Sequence, residues 1–270
     1  MRILVDHRTT YAYAQPAANV VQALRLTPRD HDAQYIRSWR VDTDVNGSMR
    51  EATDAFGNRV TMFYADAPLT SLTVTVRGEA EVTDTDGIYR GPETLPPLVY
   101  LRATNLTQAD AAILDMARGC AKPDALATLH VLNAAVHEHM AFDTSETDVA
   151  TPAAEAFAGA SGVCQDFAHI FVAAARALEI PARYVSGHLA RDSDPAQDAA
   201  HAWAEALVPD LGWVAFDPAN GICATDAYLR VAVGLDYLDA APIRGARRGG
   251  GTETMHVHVH AAEATRQTQS

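Results

Sequence analysis

The first ninety residues alternate between apolar and polar positions in short segments, with the two-residue period that is typical of β-strands. These segments are ILVDHRTTYAY, QYIRSWRVDTDV, NRVTMFYA and SLTVTVRGEAEVTD, and they are rich in β-branched and aromatic residues. Turn-forming residues separate them at Asn46-Gly47, at 56–58 and before Ile88. The pattern predicts an antiparallel β-sandwich domain over residues 1–92. The proline-rich segment GPETLPPLVYLRAT then indicates the crossing to a second domain.

Beyond residue 105 the apolar positions recur with the 3.6-residue period of helices. This pattern predicts helices over 105–119, 123–140 and 151–159, and a fourth from about Ser161 to Glu179. The fourth helix carries a broad apolar stripe and ends before a proline. We therefore expect it to be a central, buried helix.

Strand-like segments follow the helices, namely ARYVSGHLA, HAWAEALV, GWVAFDP, VAVGLDYL and MHVHVHA. Helices followed by an antiparallel sheet give an α+β domain, with the central helix packed on the sheet. We expect this core to cover residues 105–261, and we expect the polar residues 262–270 to form a disordered tail.

Composition and charge limit which binding partners and which cellular compartment we expect for this protein. The formal net charge is −13, which argues against nucleic acid because phosphate binding needs a basic surface. No segment has the apolar length of a signal peptide or a membrane span, so no membrane association is expected. Three widely spaced cysteines, with no CxxC pair, argue against a disulfide framework and against a cysteine-rich zinc site. We therefore predict a cytoplasmic protein with reduced thiols.

One cysteine lies in a context that favours reactivity, in the stretch SGVCQDFAHI. Cys164 falls in the first turn of the predicted central helix, where unpaired N–H groups and the helix dipole favour a thiolate. Gly162 is expected to leave room for a substrate backbone, and the N–H of Cys164 is a candidate donor to an oxyanion. A buried structural thiol is the alternative for such a cysteine considered alone.

Two later segments supply the groups that a thiolate nucleophile needs. His201 opens HAWAEALV and is a candidate base and acid, and Asp217 in GWVAFDP is a candidate to orient the imidazole. A four-residue hairpin loop between these strands would turn His201 and Asp217 to opposite faces. We expect instead a five-residue loop over 207–211, pairing Ala206 with Gly212 and setting His201 opposite Asp217.

Three segments resemble the core of bacterial transglutaminase-like cysteine enzymes: GVCQDFAHIFVAAARALEIPARYVSGHL, HAWAEALVPDLGWVAFDPANG and VAVGLDYLDAAP. HRTTYAY, ALRLTPR and DAFGN resemble the N-terminal β-domain of the same family. The resemblance implies a papain-like fold with Cys164 as nucleophile, His201 as base and acid, and Asp217 as the orienting carboxylate. Relatives usually carry arginine where Leu235 stands, so an ion pair at that position is not expected.

Other residues near the motif are assigned structural roles. Gln165 and Asp166 are expected to support the helix start rather than to join the triad. His169 lies five residues after Cys164, a poor offset for facing it on a helix. Cys120 and Cys223 are predicted to be structural or incidental thiols.

The C-terminal histidines and arginines are less informative. His256, His258 and His260 would share one face of a strand, which leaves a metal site as an alternative. Neighbouring same-face residues lie about 6.6 Å apart along a strand, which is unfavourable for three ligands on one ion, so we predict an exposed terminal strand and no bound metal. The arginines of IRGARRGGG, which are Arg244, Arg247 and Arg248, are expected in a flexible, solvated loop, with attraction of an acidic substrate group as the alternative.

The predicted function is acyl transfer from peptide or carboxamide bonds through an acyl-thioester, with no cofactor. Hydrolysis by an amidase or protease is favoured, because water needs no second substrate site. Transfer to an amine by a transglutaminase is the alternative within the same chemistry. A non-catalytic peptide-binding protein on the same fold is the alternative from another class. The sequence contains no EF-hand-like loop that would indicate calcium binding.

Overall fold

The computed structural model describes residues 1–191, 196–197 and 199–264, and it shows an α+β protein. In chain order the strands are β1 (Arg2–Thr27), β2 (Gln34–Thr43), β3 (Gly47–Thr53), β4 (Arg59–Ala65), β5 (Leu69–Val82), β6 (Ile88–Tyr89), β7 (Ala141–Phe142), β8 (Ser161–Gly162), β9 (Ala182–Leu189), β10 (Ala196–Gln197), β11 (His201–Val208), β12 (Gly212–Asp217), β13 (Ile222–Cys223), β14 (Tyr228–Gly234), β15 (Ile243–Gly249) and β16 (Glu253–Glu263). The α-helices are α1 (Ala111–Cys120), α2 (Ala125–His139), α3 (Ala153–Gly159), α4 (Cys164–Ala177) and α5 (Tyr237–Ala240). A 3-10 helix covers Pro97–Leu101.

Strand β1 organises the N-terminal antiparallel sheet because it is long enough to pair with four neighbours. Its first half lies between β5 and β16, and its second half lies between β4 and β15. The change of partners falls near Pro16, which has no amide hydrogen to donate, and Asn19, which takes a positive φ of 52°. Along both halves, buried and exposed residues largely alternate, so one face of the sheet is apolar. The predicted combination of an N-terminal antiparallel β-structure and an α+β core is confirmed.

The C-terminal strands belong to this first sheet by hydrogen bonding. β15 and β16 both pair antiparallel with β1. The prediction of a flexible loop around Arg244, Arg247 and Arg248 is therefore wrong, because these residues lie in β15. The glycines and arginines of this segment suggest a loop, but the backbone of β15 pairs with β1 along most of the strand.

The terminal strand β16 extends as far as Glu263, beyond the predicted start of the tail at residue 262. Residues 265–270 of the predicted disordered tail lie outside the described residues. The side chains of His256, His258 and His260 are all exposed on β16. The division of the chain into domains at 92, 105 and 261 stays a prediction, although the pairing attaches residues 243–263 to the N-terminal sheet.

The second sheet forms the platform for the central helix. Its strand order is β13-β12-β11-β9-β14, with β6 added along β12, and its pairs are antiparallel. α4 lies across β11, and α1, α2 and α3 cover the other side of the helix. The resulting apolar cluster includes Phe171, Ile170 and Leu129, which are fully buried. No described helix is long and apolar enough to cross a lipid bilayer.

The helix α4 begins later than the sequence suggests, at Cys164 rather than Ser161. Ser161 and Gly162 instead form β8, which pairs in parallel with β7. This short pairing fixes the backbone immediately before the helix, and Cys164 becomes the first residue of α4.

The hairpin between β11 and β12 differs in length from the prediction. Val208 pairs with Gly212 and Ala206 with Val214, so the loop has three residues instead of five. Pro209 and Asp210 fill the central positions, and Asp210 takes a positive φ of 65°, as the third residue of a type II turn does. Because three and five are both odd, the register still turns the side chains of positions 201 and 217 to the same face.

Two carboxamides join the N-terminal sheet to the core by pairing with the backbone of β14. The Asn58 side chain donates to the Val233 carbonyl at 2.7 Å and accepts from the Val233 N–H at 2.8 Å. Gln34 makes the same two bonds with Arg230, at 3.0 and 2.8 Å. Each amide thus satisfies both polar groups of one residue of β14.

Candidate active site

The start of α4 is held by a buried carboxylate. Asp166 is fully buried, and its Oδ2 accepts from the Val163 N–H at 2.8 Å and from the Thr147 hydroxyl at 2.7 Å. This is the carboxylate half of a capping box, and it satisfies a free N–H at the helix start. Burial raises the pKa of Asp166, although its hydrogen bonds act in the opposite direction. The predicted supporting position of Asp166 agrees with these contacts.

The structure gives one reason for a glycine at position 162. A Cβ at this position would lie 2.4 Å from Asp166 Oδ2. Gly162 therefore makes room for the capping carboxylate, and the expectation that it leaves space for a substrate backbone stays a prediction.

The three residues singled out from the sequence come together at one place. His201 begins β11, and its Nε2 donates to Asp217 Oδ2 at 2.6 Å. Cys164 is half-buried and lies close enough to the imidazole of His201 to raise its pKa. Since Nε2 is bound to the carboxylate, Nδ1 is the ring atom left for the sulfur. The arrangement is a relay from sulfur to imidazole to carboxylate.

The electrostatics of His201 favour its charged form. Burial by itself lowers the pKa of this side chain, but hydrogen bonds and negative charge from Asp217 and Cys164 outweigh burial and raise the pKa to about 10. Asp217 is fully buried, and burial by itself raises its pKa. The hydrogen bond and the charge of His201, followed by the hydrogen bonds of Asn220 and Tyr228, outweigh burial and lower the pKa below its usual value. An imidazolium beside the Asp217 carboxylate is therefore the stable state of His201 near neutral pH.

Asp217 has further partners that the sequence analysis missed. Its Oδ2 also accepts from Asn220 Nδ2 at 2.6 Å and from the Tyr228 hydroxyl at 2.7 Å. Its Oδ1 accepts from the backbone N–H groups of Ala219 and Asn220 at 3.0 and 3.2 Å. Asn220 follows Asp217 closely in DPANG, which is the type of sequence that folds into such a local turn. Tyr228 comes from β14 and carries no comparable signal.

Aromatic packing fixes the imidazole from the side. The Trp203 ring stacks near His201 with centroids 6.1 Å apart, and the Tyr228 ring meets Trp203 edge-on at 5.4 Å. Trp203 is almost fully buried. The three rings lie on β11 and β14, so the sheet itself sets the orientation of His201.

The remaining candidates stay outside this site. His169 is fully buried, its Nε2 accepts from the Tyr237 N–H at 3.0 Å, and burial lowers its pKa to about 3. Gln165 donates to the Val149 carbonyl at 3.3 Å. Burial raises the pKa of both Cys120 and Cys223. The described residues contain no group of three or more His, Cys, Asp or Glu placed to hold a metal ion.

The side chain of Leu235, where the family resemblance had led us to look for an arginine, is buried beside Tyr100 and Trp213. Its backbone carbonyl accepts from Arg176 Nη2 at 2.8 Å. An arginine from α4 therefore binds this segment, through the backbone instead of an ion pair.

Two family models and several relatives match this chain. Residues 3–81 match the bacterial transglutaminase-like N-terminal region, and residues 114–218 match the transglutaminase-like superfamily. An uncharacterised protein of Mycobacterium leprae is 32% identical over 96% of this chain and 97% of its own length. An uncharacterised protein of Mycobacterium tuberculosis is 30% identical over 90% of this chain and 87% of its own length.

A solved structure shares the whole fold. It is a Cytophaga hutchinsonii protein named as a candidate cysteine protease, which aligns with a TM-score of 0.79 and 19% identity. The alignment covers 100% of this chain and 92% of that protein. The chain belongs to the transglutaminase-like superfamily and carries its bacterial N-terminal region.

Proposed function

We propose that this chain is a cysteine-nucleophile acyl-transfer enzyme that acts on peptide or carboxamide bonds. The observation that carries the proposal is the buried His201, which lies between the Cys164 thiol and the Asp217 carboxylate and has a pKa raised to about 10. A positively charged histidine beside the sulfur suits nucleophilic attack by Cys164 and holds a proton ready for a leaving group.

The first half of the reaction follows from these positions. The Cys164 thiolate attacks the carbonyl carbon and forms a C–S bond, while the carbonyl oxygen takes the negative charge. The N–H of Cys164, at the start of α4, is a donor for that oxygen. As the oxyanion collapses, the C–N bond breaks and the His201 proton passes to the departing amine. An acyl-thioester on Cys164 and a neutral His201 remain.

The second half returns the enzyme to its starting state. Neutral His201 takes a proton from water, and the hydroxide attacks the thioester carbonyl. The C–S bond then breaks, releasing a carboxylic acid and the thiolate beside a recharged imidazolium. We favour this hydrolysis because water needs no second binding site. An amine in place of water would give transglutamination by the same steps.

Selective alkylation tests the nucleophile. Iodoacetamide should modify Cys164 at least tenfold faster than Cys120 or Cys223 at pH 7, because burial raises the pKa of the latter two. The rate should remain high well below pH 8.5, the usual region for a free thiol. His201→Ala should abolish the preference for Cys164. Equal rates for the three thiols in the wild-type protein would favour a peptide-binding protein without catalysis.

Trapping of the intermediate tests the reaction. Intact-mass measurement after incubation with a library of amide donors should show an acyl adduct that maps to Cys164. Loss of the adduct in water supports an amidase or protease, whereas loss only after addition of a primary amine supports a transglutaminase. A Cys164→Ala variant provides the control and should form no adduct.

The proposal includes action in the cytoplasm. It is supported by the three cysteines, all of which are free thiols. Fractionation of cells that express the tagged protein should recover it with cytoplasmic markers, and recovery in a periplasmic or secreted fraction would contradict this part of the proposal.

A further inference from the structure

The carboxylate of Asp217 has more hydrogen-bond donors than the relay requires. Oδ2 alone receives three, from His201 Nε2 at 2.6 Å, Asn220 Nδ2 at 2.6 Å and the Tyr228 hydroxyl at 2.7 Å. Oδ1 receives two backbone N–H groups, from Ala219 and Asn220. A carboxylate offers about four lone-pair sites, so five donors compete for it.

The two side-chain donors come from different parts of the fold. Tyr228 is the first residue of β14 and is 5% exposed, with its ring packed edge-on against Trp203. Asn220 is exposed, lies in the turn after β12, and its Nδ2 is also 3.5 Å from His201 Nε2. One donor therefore approaches from inside the protein and the other from the solvent side.

Each added donor weakens the hold of the carboxylate on the imidazolium. A hydrogen bond to the charged carboxylate spreads its negative charge and makes it a weaker proton acceptor. His201 then keeps its proton less tightly than it would beside a carboxylate that bound His201 alone. This matters for acid catalysis, because an acid that holds its proton too strongly transfers it poorly.

We propose that Tyr228 and Asn220 are positioning residues that act through Asp217, limiting how strongly it retains the proton on His201. The inference rests on the proposed function of the Cys164–His201–Asp217 relay. Both residues bind the carboxylate, which does not take part in bond making. Asn220 Nδ2 also lies 3.5 Å from His201 Nε2, which is the ring nitrogen bound to Asp217.

The direction of the change distinguishes this role from a purely structural one. Loss of either donor should make Asp217 a stronger acceptor and raise the pKa of His201. A residue that only holds the site together would act in the opposite direction, since loosening the bond between His201 and Asp217 lets the pKa of the imidazole fall toward its usual value near 6.5.

Tyr228→Phe in the full chain is the primary test, because phenylalanine keeps the ring packing and removes only the hydroxyl. With histidine labelled at the ring carbons, an NMR titration should show the pKa of His201 raised by roughly half a unit to one unit relative to wild type, about the effect of one hydrogen bond. Asn220→Ala, at an exposed position that does not put folding at risk, should shift the same resonance in the same direction.

Tyr13→Phe is the matched control. Tyr13 is 6% exposed, close to the value for Tyr228, but belongs to the apolar core of the N-terminal sheet. Its variant should leave the His201 titration unchanged. A fall in the pKa of His201, or no change, in folded Tyr228→Phe and Asn220→Ala would overturn the inference.

The readout separates this inference from the proposed function. The His201 titration needs no substrate, so it reports on the donors even if no acyl adduct is ever found. An adduct on Cys164 together with an unmoved titration would contradict only the role of Tyr228 and Asn220. A shifted titration without any adduct or selective alkylation would contradict only the enzymatic proposal.

Discussion

Arg176 connects four separate segments of the core through one guanidinium group. It donates to the backbone carbonyls of Tyr100, Ala182 and Leu235 and to the Thr107 hydroxyl, in five bonds of 2.8–3.1 Å. Burial lowers its pKa to about 10, so it stays charged at neutral pH without a carboxylate in direct contact. The charge is balanced by carbonyl dipoles and by the more distant Asp236 and Asp239.

Replacement of Arg176 by methionine should destabilise the protein strongly. Methionine fills part of the volume but leaves four buried or partly buried acceptors without this donor, and each orphaned acceptor costs about 1–3 kcal/mol. We expect the free energy of unfolding in urea to fall by about 3 kcal/mol or more. Arg118→Met on α1 is the control: Arg118 is 70% exposed and should change stability by no more than about 0.5 kcal/mol. Comparable losses in the two variants would show that burial of Arg176 is not the cause.

At the scale of single residues, sequence motifs locate side chains better than they locate partners. Cys164, His201 and Asp217 each lie in a segment with a recognisable pattern, and the structure brings them together; their catalytic role stays a prediction. Tyr228 was missed because its contact with Asp217 depends on the strand order of the second sheet. Asp217 lies on β12 and Tyr228 on β14, and β11 and β9 lie between these two strands. Nothing in the local pattern around Tyr228 carries that information.

At the scale of elements, backbone pairing decides where a helix or hairpin begins and ends. The apolar stripe of α4 was recognisable, but the pairing of Ser161 and Gly162 with β7 moved the start to Cys164. The hairpin after Val208 was predicted with the correct parity and the wrong length. Loop length depends on the turn that Pro209 and Asp210 adopt, whereas parity follows from the need to bury one face.

Gly162→Ala tests the helix start. The new Cβ would lie 2.4 Å from Asp166 Oδ2, so the carboxylate must leave the Val163 N–H and the Thr147 hydroxyl. Losing these buried charge-assisted bonds should lower the free energy of unfolding by about 1–3 kcal/mol and slow the alkylation of Cys164. Gly159→Ala in α3 is the matched control, since its Cβ would meet nothing within 4 Å; it should be neutral or stabilising. An unchanged alkylation rate in folded Gly162→Ala would contradict the link between Asp166 and the position of Cys164.

At the scale of the whole molecule, the N-terminal sheet and the core meet through buried polar groups. Within the second sheet, Arg183 and Arg230 both bind Glu205, which is 1% exposed; burial raises the pKa of this carboxyl, but the two arginines outweigh burial and lower it to about 2. Between the two sheets, the carboxamides of Asn58 and Gln34 bind the backbone of β14. His7 of β1 and His188 of β9 meet edge-on with ring centroids 5.6 Å apart. The sequence could not predict the contact between His7 and His188, because it indicates which strands exist and not how the two sheets pack against each other.

The paired histidines should make the protein sensitive to mild acid. Burial lowers the pKa of His7 to about 4, although the charge of Asp6 acts in the opposite direction. Burial, together with the neighbouring His7, lowers the pKa of His188 to about 3. Between these values and about 6.5 the unfolded chain binds protons that the folded protein does not. Folding stability must therefore decrease as pH falls below about 6.5, by up to about 1.4 kcal/mol per pH unit for each histidine.

His188→Leu removes one of the two groups that must stay neutral, so it should flatten this dependence. Urea unfolding at pH 7, 6 and 5 gives the free energy of unfolding at each pH. This free energy should fall less steeply with decreasing pH in the variant than in wild type, and the difference in slope should be close to that of one titrating proton. The same measurement between pH 7.5 and 8.5 serves as the internal control, because both imidazoles are neutral there in the folded and the unfolded chain and the two slopes should coincide. If wild type and His188→Leu lose stability in parallel from pH 7 to 5, acid must act elsewhere than at this contact between the N-terminal sheet and the core.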